Sequence, residues 1–139
     1  MKKILIIDGP NLNLLGSREP EIYGTETLDS IYAGLNARFP EIQFERFQSN
    51  HEGALIDRLQ QADFDGAVFN PGAFSHYSIA LRDCITAIKP TVIEVHISNI
   101  AAREEFRRLS VIAPVCRGSI SGLGTIGYSL AVEALISEK

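Results

Sequence analysis

The chain has 139 residues, 45% of them hydrophobic and 22% charged, with a formal charge of −4 at pH 7. That is one domain's worth of chain, long enough to bury a real core, and its composition is ordinary for a globular protein. The acidic balance argues against nucleic acid as a partner. No apolar run approaches the roughly 20 residues of a membrane helix, and the four aliphatics after Met1-Lys2-Lys3 are too few for a secretory leader. Cys84 and Cys116 form no ligand-spaced pair and fit a reduced, cytoplasmic interior.

In chain order, short apolar runs alternate with segments of helical period. The expected strands are Lys3–Asp8, Gln43–Gln48, Gly66–Asn70, Thr91–His96 and Ser110–Val115. The expected helices lie near Thr27–Arg38, Glu52–Ala62, His76–Ile88, Asn99–Leu109 and Leu123–Ser137. In the first helix Leu28, Ile31, Leu35 and Phe39 recur at spacings of three and four, and Pro40 marks its end. Near-continuous aliphatic strands such as K-I-L-I-I and T-V-I-E-V suit a parallel sheet covered on both faces. Five β-α units predict an α/β fold: a flavodoxin-like three-layer α/β/α sandwich around a five-stranded parallel sheet of order 2-1-3-4-5. Residues 1–139 read as a single catalytic domain.

The segment D-G-P-N-L-N-L-L-G-S-R-E-P-E-I-Y-G, which follows the first strand, is long for a connection in a compact domain. It sets Asn11, Asn13, Arg18 and Tyr23 among glycines and prolines, so residues 10–24 are expected to form an active-site lid loop. Open parallel sheets bind ligands at the carboxyl ends of strands, near the point where strand order reverses. There the first strand brings Asp8, Asn11, Arg18 and Tyr23. The third ends in Asn70-Pro71-Gly72-Ala73-Phe74-Ser75-His76, and the fourth runs through Glu94 and His96 into Ser98 and Asn99. In the expected order these three clusters converge on one crevice.

Each residue there also has a plainer reading. Asn70 before Pro71-Gly72 suits a turn, His76 suits the first turn of the third helix, and Ser98 or Asn99 suits a helix N-cap whose N–H groups would bind an anion. Glu94 is harder to explain away, because a carboxylate inside a buried strand is costly unless paired. Strand alternation puts it on the face of His96, either to orient that imidazole or as a structural ion pair. Arg103 and Arg107, at i and i+4, read as a solvated helix face or as substrate contacts. Tyr23 is a poor base unless a guanidinium lowers its pKa, and Arg18 is close enough in the loop to do so. Tyr32, Tyr77 and Tyr128 read as packing residues.

Two patterns mislead. G-L-G-T-I-G, Gly122 to Gly127, matches a dinucleotide fingerprint, but too little chain follows it for the second strand and ribose-binding acid that fingerprint needs. Its glycines are expected to serve close helix–sheet packing, with no cofactor. His51, His76 and His96 lack metal-ligand spacing, so no metal is expected. Non-catalytic modules of the same fold fit poorly. A receiver domain needs an aspartate where Asn70 stands, and a flavodoxin needs a Ser/Thr-rich phosphate loop after the first strand.

An activated tyrosine, a histidine beside a glutamate, amide side chains and an anion-binding helix start suit proton removal next to a carbonyl with loss of water. The motifs N-L-N-L-L-G-S-R-E-P-E-I-Y-G, F-N-P-G-A-F-S-H-Y-S, E-V-H-I-S-N, A-R-E-E-F-R and G-L-G-T-I-G-Y together resemble the type II 3-dehydroquinate dehydratases, over essentially the whole chain and in order. The resemblance implies reversible dehydration of 3-dehydroquinate to 3-dehydroshikimate by anti elimination through an enolate, a step toward chorismate. It implies Tyr23 as base, Arg18 as its activator, His96 as acid to the departing hydroxyl, and Asn11 as holder of a water against the enolate oxygen. Asn70, His76, Ile97, Ser98 and Arg107 match ligand-binding positions, Ile97 and Ser98 through backbone N–H groups. Asp83 matches a residue that reaches a neighbouring subunit's site, in a family of dodecamers built from trimers. The unrelated type I enzymes use a lysine Schiff base. Here Lys2, Lys3, Lys89 and Lys139 all precede a strand or end the chain, away from the crevice.

Overall fold

A computed structural model describes residues 1–17, 21 and 24–137. Five parallel strands, β1 Lys3–Asp8, β2 Gln43–Gln48, β3 Gly66–Asn70, β4 Thr91–His96 and β5 Gly118–Ser121, form one sheet of order β2-β1-β3-β4-β5. Among the described residues the α-helices are α1 Leu28–Arg38, α2 Glu52–Gln60, α3 Ile79–Ala87 and α4 Ile126–Ile136. The flavodoxin-like order, expected from the fold class rather than from any residue, is the order observed.

The period of two in the strands builds the layers. Ile4 and Ile6 of β1 face a core made with Ile31, Tyr32 and Leu35 of α1 and Tyr128, Ala131, Val132 and Leu135 of α4. Leu5 and Ile7 face the other way, onto Leu55 and Leu59 of α2 and Leu81, Cys84 and Ile85 of α3. α1 starts where Thr27 accepts the Ser30 N–H and the Ser30 hydroxyl accepts the Thr27 N–H, a reciprocal cap.

Three boundaries differ from expectation. Ser110–Val115 is not a strand. It is an irregular segment ending in a 3-10 turn at Ala113–Val115, because Pro114 has no N–H for a ladder and the Ser110 hydroxyl accepts the N–H groups of Ile112 and Ala113. Its apolar residues still pack, Ile112 being fully buried. The true fifth strand, G-S-I-S, is an edge with little apolar signal. Asn99–Leu109 forms no α-helix but two 3-10 turns, Ile100–Ala102 and Glu105–Arg107, since Phe106 and Leu109 stay exposed and give a helix no stripe to bury. The expected His76–Ile88 helix divides at Ser78, which caps α3 by accepting the Leu81 N–H, so His76 ends a separate 3-10 turn, Gly72–His76. G-L-G-T-I-G serves packing only in part: a Cβ on Gly127 would touch Val95 and Ile120 of the sheet, whereas Gly122 and Gly124 take positive φ.

Asp8 closes β1 with its carboxylate fully buried. By alternation it lies on the α1/α4 face, where Tyr32 donates to Oδ2 at 2.7 Å and Tyr128 to Oδ1 at 2.6 Å. Burial pushes this carboxyl up to about 6, against the pull of the two hydroxyls. Beside it the loops leaving β1 and β3 cross closely. The Gly9 N–H donates to the Asn70 carbonyl at 2.7 Å, and a Cβ on Gly9 would lie 2.5 Å from the Pro71 carbonyl oxygen.

Two outcomes follow for stability. Gly9→Ala should cost about 2 kcal/mol in urea unfolding, the overpacking penalty of a contact that cannot relax; an unchanged midpoint would mean the two loops can part. Because the Asp8 carboxyl binds its proton more tightly folded than unfolded, its contribution to stability falls as pH rises from 3.8 toward about 6. Across that window the wild type should lose roughly 2–3 kcal/mol relative to Asp8→Asn. A flat or rising difference would show that the tyrosine hydroxyls outweigh burial.

Candidate active site

The carboxyl ends of β1, β3 and β4 open on one crevice. Its lining includes Asn11, Asn70, His76, His96, Ile97, Ser98, Arg103 and Arg107, eight of the positions singled out from the sequence. Arg18 and Tyr23 lie outside the described residues. Asp83 is exposed on α3, away from the crevice of its own chain, and Glu94 is buried beneath the crevice without lining it.

From β1, Asn11 takes a left-handed conformation, φ 70°, which asparagine tolerates better than most residues. Its N–H donates to Asn50 Oδ1 at 3.0 Å, tying the base of the loop to the segment after β2. From β3, Asn70 is both a turn former and a site residue: its Oδ1 accepts the Gly72 N–H at 3.1 Å while the residue lines the crevice.

From β4, Glu94 and His96 share the α2/α3 face, as alternation requires. Glu94 is 1% exposed, and its Oε2 meets His96 Nε2 at 2.7 Å and accepts the Ser110 hydroxyl at 2.7 Å. Its Oε1 is buried with no hydrogen-bond partner among the described residues. A carboxylate accepts, so Nε2 carries a proton and Nδ1 is left as the nitrogen free to exchange one. The pair is thus an orienting contact: it fixes the ring and selects which nitrogen carries the hydrogen. His76 stacks on His96 with ring centroids 6.4 Å apart, and its Nδ1 donates to the Leu109 carbonyl at 2.8 Å, which leaves its Nε2 as an acceptor.

The two 3-10 turns bring Arg103 and Arg107 to the rim. Arg103 Nη1 reaches Ser98 Oγ at 3.4 Å, and Arg107 Nε donates to Glu104 Oε2 at 2.6 Å. They are not a helix face at i and i+4. Nor does an α-helix start after β4, so an anion there would meet local N–H groups and guanidinium charge rather than a helix dipole. Two imidazoles, two guanidinium groups and two amides make the crevice suited to a small, oxygen-rich anion.

Sequence reading missed three residues. Tyr32 and Tyr128, read as packing, carry hydroxyls to Asp8, and Ser110, read as part of a strand, supports Glu94. The signal for the tyrosines was Asp8 itself: a carboxylate ending an apolar strand needs donors. Among the described residues no three His, Cys, Asp or Glu side chains are grouped to hold a metal ion, and no helix is long and apolar enough to cross a membrane.

The family model described as dehydroquinase class II matches residues 2–136. The chain is 56% identical over 142 aligned positions to the 3-dehydroquinate dehydratase of Bacillus pumilus, covering 99% of this chain and 97% of that protein. It is 55% identical over 133 positions to the enzyme of the same name from Thermotoga neapolitana, covering 94% and 92%. Among solved structures it is similar to the type II dehydroquinase of Butyrivibrio crossotus, with TM-score 0.95, 49% identity and 98% of each chain covered. That of Propionibacterium acnes follows with TM-score 0.93, 45% identity and coverage of 99% and 98%. With its sheet order, its convergent strand ends and nearly its full length matched, the chain belongs to the class II dehydroquinase family.

Proposed function

We propose that this chain carries out the reversible dehydration of 3-dehydroquinate to 3-dehydroshikimate, on the route to chorismate, by acid–base chemistry in the crevice. The reaction is that of the relatives named 3-dehydroquinate dehydratase. The observation that carries the mechanism is His96 held by buried Glu94 where three strand ends meet.

In this mechanism the Tyr23 phenolate, made basic by Arg18, takes the proton alpha to the ketone, and the electron pair moves onto the ketone oxygen as an enolate. A water held by Asn11 hydrogen-bonds that oxygen. The enolate collapses, the carbon–oxygen bond to the departing hydroxyl breaks on the opposite face, and His96 gives that hydroxyl a proton from Nδ1, leaving as water. Glu94 holds the imidazole by Nε2 so that Nδ1 faces the transfer. Asn70, His76, Arg107 and the backbone of Ile97 and Ser98 hold the substrate, with Arg103 supporting Ser98. No cofactor enters the scheme.

Residues 1–139 act as one catalytic domain, with residues 10–24 as its lid. By the family resemblance the chain assembles as a dodecamer of trimers, where exposed Asp83 reaches a neighbour's crevice, and works in the cytoplasm. A covalent imine is disfavoured by placement: Lys2 and Lys3 sit at the start of β1, where Lys3 pairs with Glu45 at 2.9 Å, and Lys89 lies two residues before β4. Lys139 lies outside the described residues.

Mixing the protein with 3-dehydroquinate should raise the ultraviolet band of the conjugated enone. Tyr23→Phe should slow that signal roughly 10²–10⁴-fold with circular dichroism unchanged; turnover near normal would remove Tyr23 from the mechanism. Borohydride added with substrate should leave activity intact, and a reduced lysine adduct in the mass spectrum would refute the imine-free route.

A further inference from the structure

Tyr128 has one hydroxyl proton and two polar neighbours, Asp8 Oδ1 at 2.6 Å and Asn70 Nδ2 at 3.0 Å. An ionised carboxylate can only accept, so the proton points at Asp8 and the phenol oxygen is left to accept from Asn70. An amide is nearly the same shape either way round, so its neighbours decide which atom faces where. Here the buried acid sets one end of that choice, and the Gly72 N–H on Asn70 Oδ1 at 3.1 Å sets the other. Asn70 is 3% exposed and lines the crevice, and only one of its Nδ2 hydrogens is used by Tyr128.

We propose that Asp8, acting through Tyr128, holds the Asn70 amide so that it donates its remaining N–H to an oxygen of the substrate. Asp8 and Tyr128 are then positioning residues: neither lines the crevice, yet together they decide whether it presents a donor or an acceptor at Asn70. A flipped amide would set Oδ1 against a substrate oxygen, an unpaired contact of the kind that polar sites reject strongly. The chain runs across the sheet, because Asp8 and Asn70 are register partners on β1 and β3 and their side chains share the face that α1 and α4 cover. This inference rests on the reading that Asn70 binds substrate.

Tyr32 is the natural comparison. It donates to the same carboxylate, at Oδ2, and makes no bond to Asn70. Steady-state kinetics with 3-dehydroquinate on Tyr128→Phe, Tyr32→Phe, Asn70→Ala and the Tyr128→Phe/Asn70→Ala double variant separate the roles. Tyr128→Phe should raise KM about tenfold, the worth of one well-placed hydrogen bond, with kcat changed far less. Tyr32→Phe should lower the thermal midpoint and leave KM within about twofold of wild type. The double variant should match Asn70→Ala in KM, since the tyrosine acts only through that amide.

If Tyr128→Phe and Tyr32→Phe lower the thermal midpoint alike and neither moves KM while Asn70→Ala does, the tyrosine is purely structural and the proposal is overturned. If Asn70→Ala leaves KM unmoved, the reading of Asn70 as a substrate contact fails first and the proposal with it. A substrate-bound structure of the wild type supplies a readout that does not depend on a variant folding. Asn70 Nδ2 should lie about 3 Å from a substrate oxygen with the Tyr128 and Asp8 contacts retained; Oδ1 in that place, or a broken Tyr128–Asn70 contact, overturns it.

Discussion

Burying the Asp8 carboxylate at the end of β1 places a demand on the rest of the molecule. An acid withdrawn from water needs donors, and they come from two helices that are far apart in sequence, Tyr32 of α1 and Tyr128 of α4. Each hydroxyl reaches the strand end only if its helix lies on the same face of the sheet at the right height. The same carboxylate therefore ties together the α1/α4 layer, the first strand and, through Tyr128, the third. An acid that lowers its own solvation so severely makes sense where it organises something else, and here it stands beneath the crevice floor.

The opposite face carries a second buried acid with a different task. Glu94 concentrates its hydrogen bonds on Oε2, shared between His96 and Ser110. Asp8 binds neutral hydroxyls and directs an amide; Glu94 binds an imidazole and fixes which of its nitrogens carries the hydrogen. The two devices sit on opposite sides of one sheet and meet only at its carboxyl edge, where side chains from both faces turn into the same opening. Strand alternation alone accounts for that division: Asp8 and Asn70 continue the Ile4, Ile6 and Val68 side, whereas Glu94 and His96 continue the Val92 side.

The loops beyond the strands are shaped by close approach as much as by polarity. Gly9 against Pro71, and Gly72 at φ +59° against Pro10, let two connections cross with almost no space between them, so the Asn11 and Asn70 ends share a wall. After β4 the chain could have continued as a helix. The two short 3-10 turns it forms instead bring both Arg103 and Arg107 to the rim, which residues at i and i+4 on an exposed helix face would not guarantee.

Four of the five strands and the polar clusters at their carboxyl ends were legible in the sequence, because aliphatic runs and period-two alternation are local. The strand order, and with it the meeting of three clusters, came from the general habit of open parallel sheets and not from any residue. Glu94 beside His96 was legible for the same reason: a charge inside an apolar strand is conspicuous. Three features required the tertiary structure. β5 carries too little apolar signal to be seen as an edge, and Ser110–Val115 looks like a strand until its packing and Pro114 are placed. Whether Asn99–Leu109 coils into a helix depends on whether anything covers Phe106 and Leu109. The hydroxyls of Tyr32 and Tyr128, lastly, are 24 and 120 residues from Asp8 along the chain. A pattern read along the chain reports which residues want burial, but only the closed fold decides which distant polar atoms are buried together, because that choice is made by the packing of whole helices on the sheet.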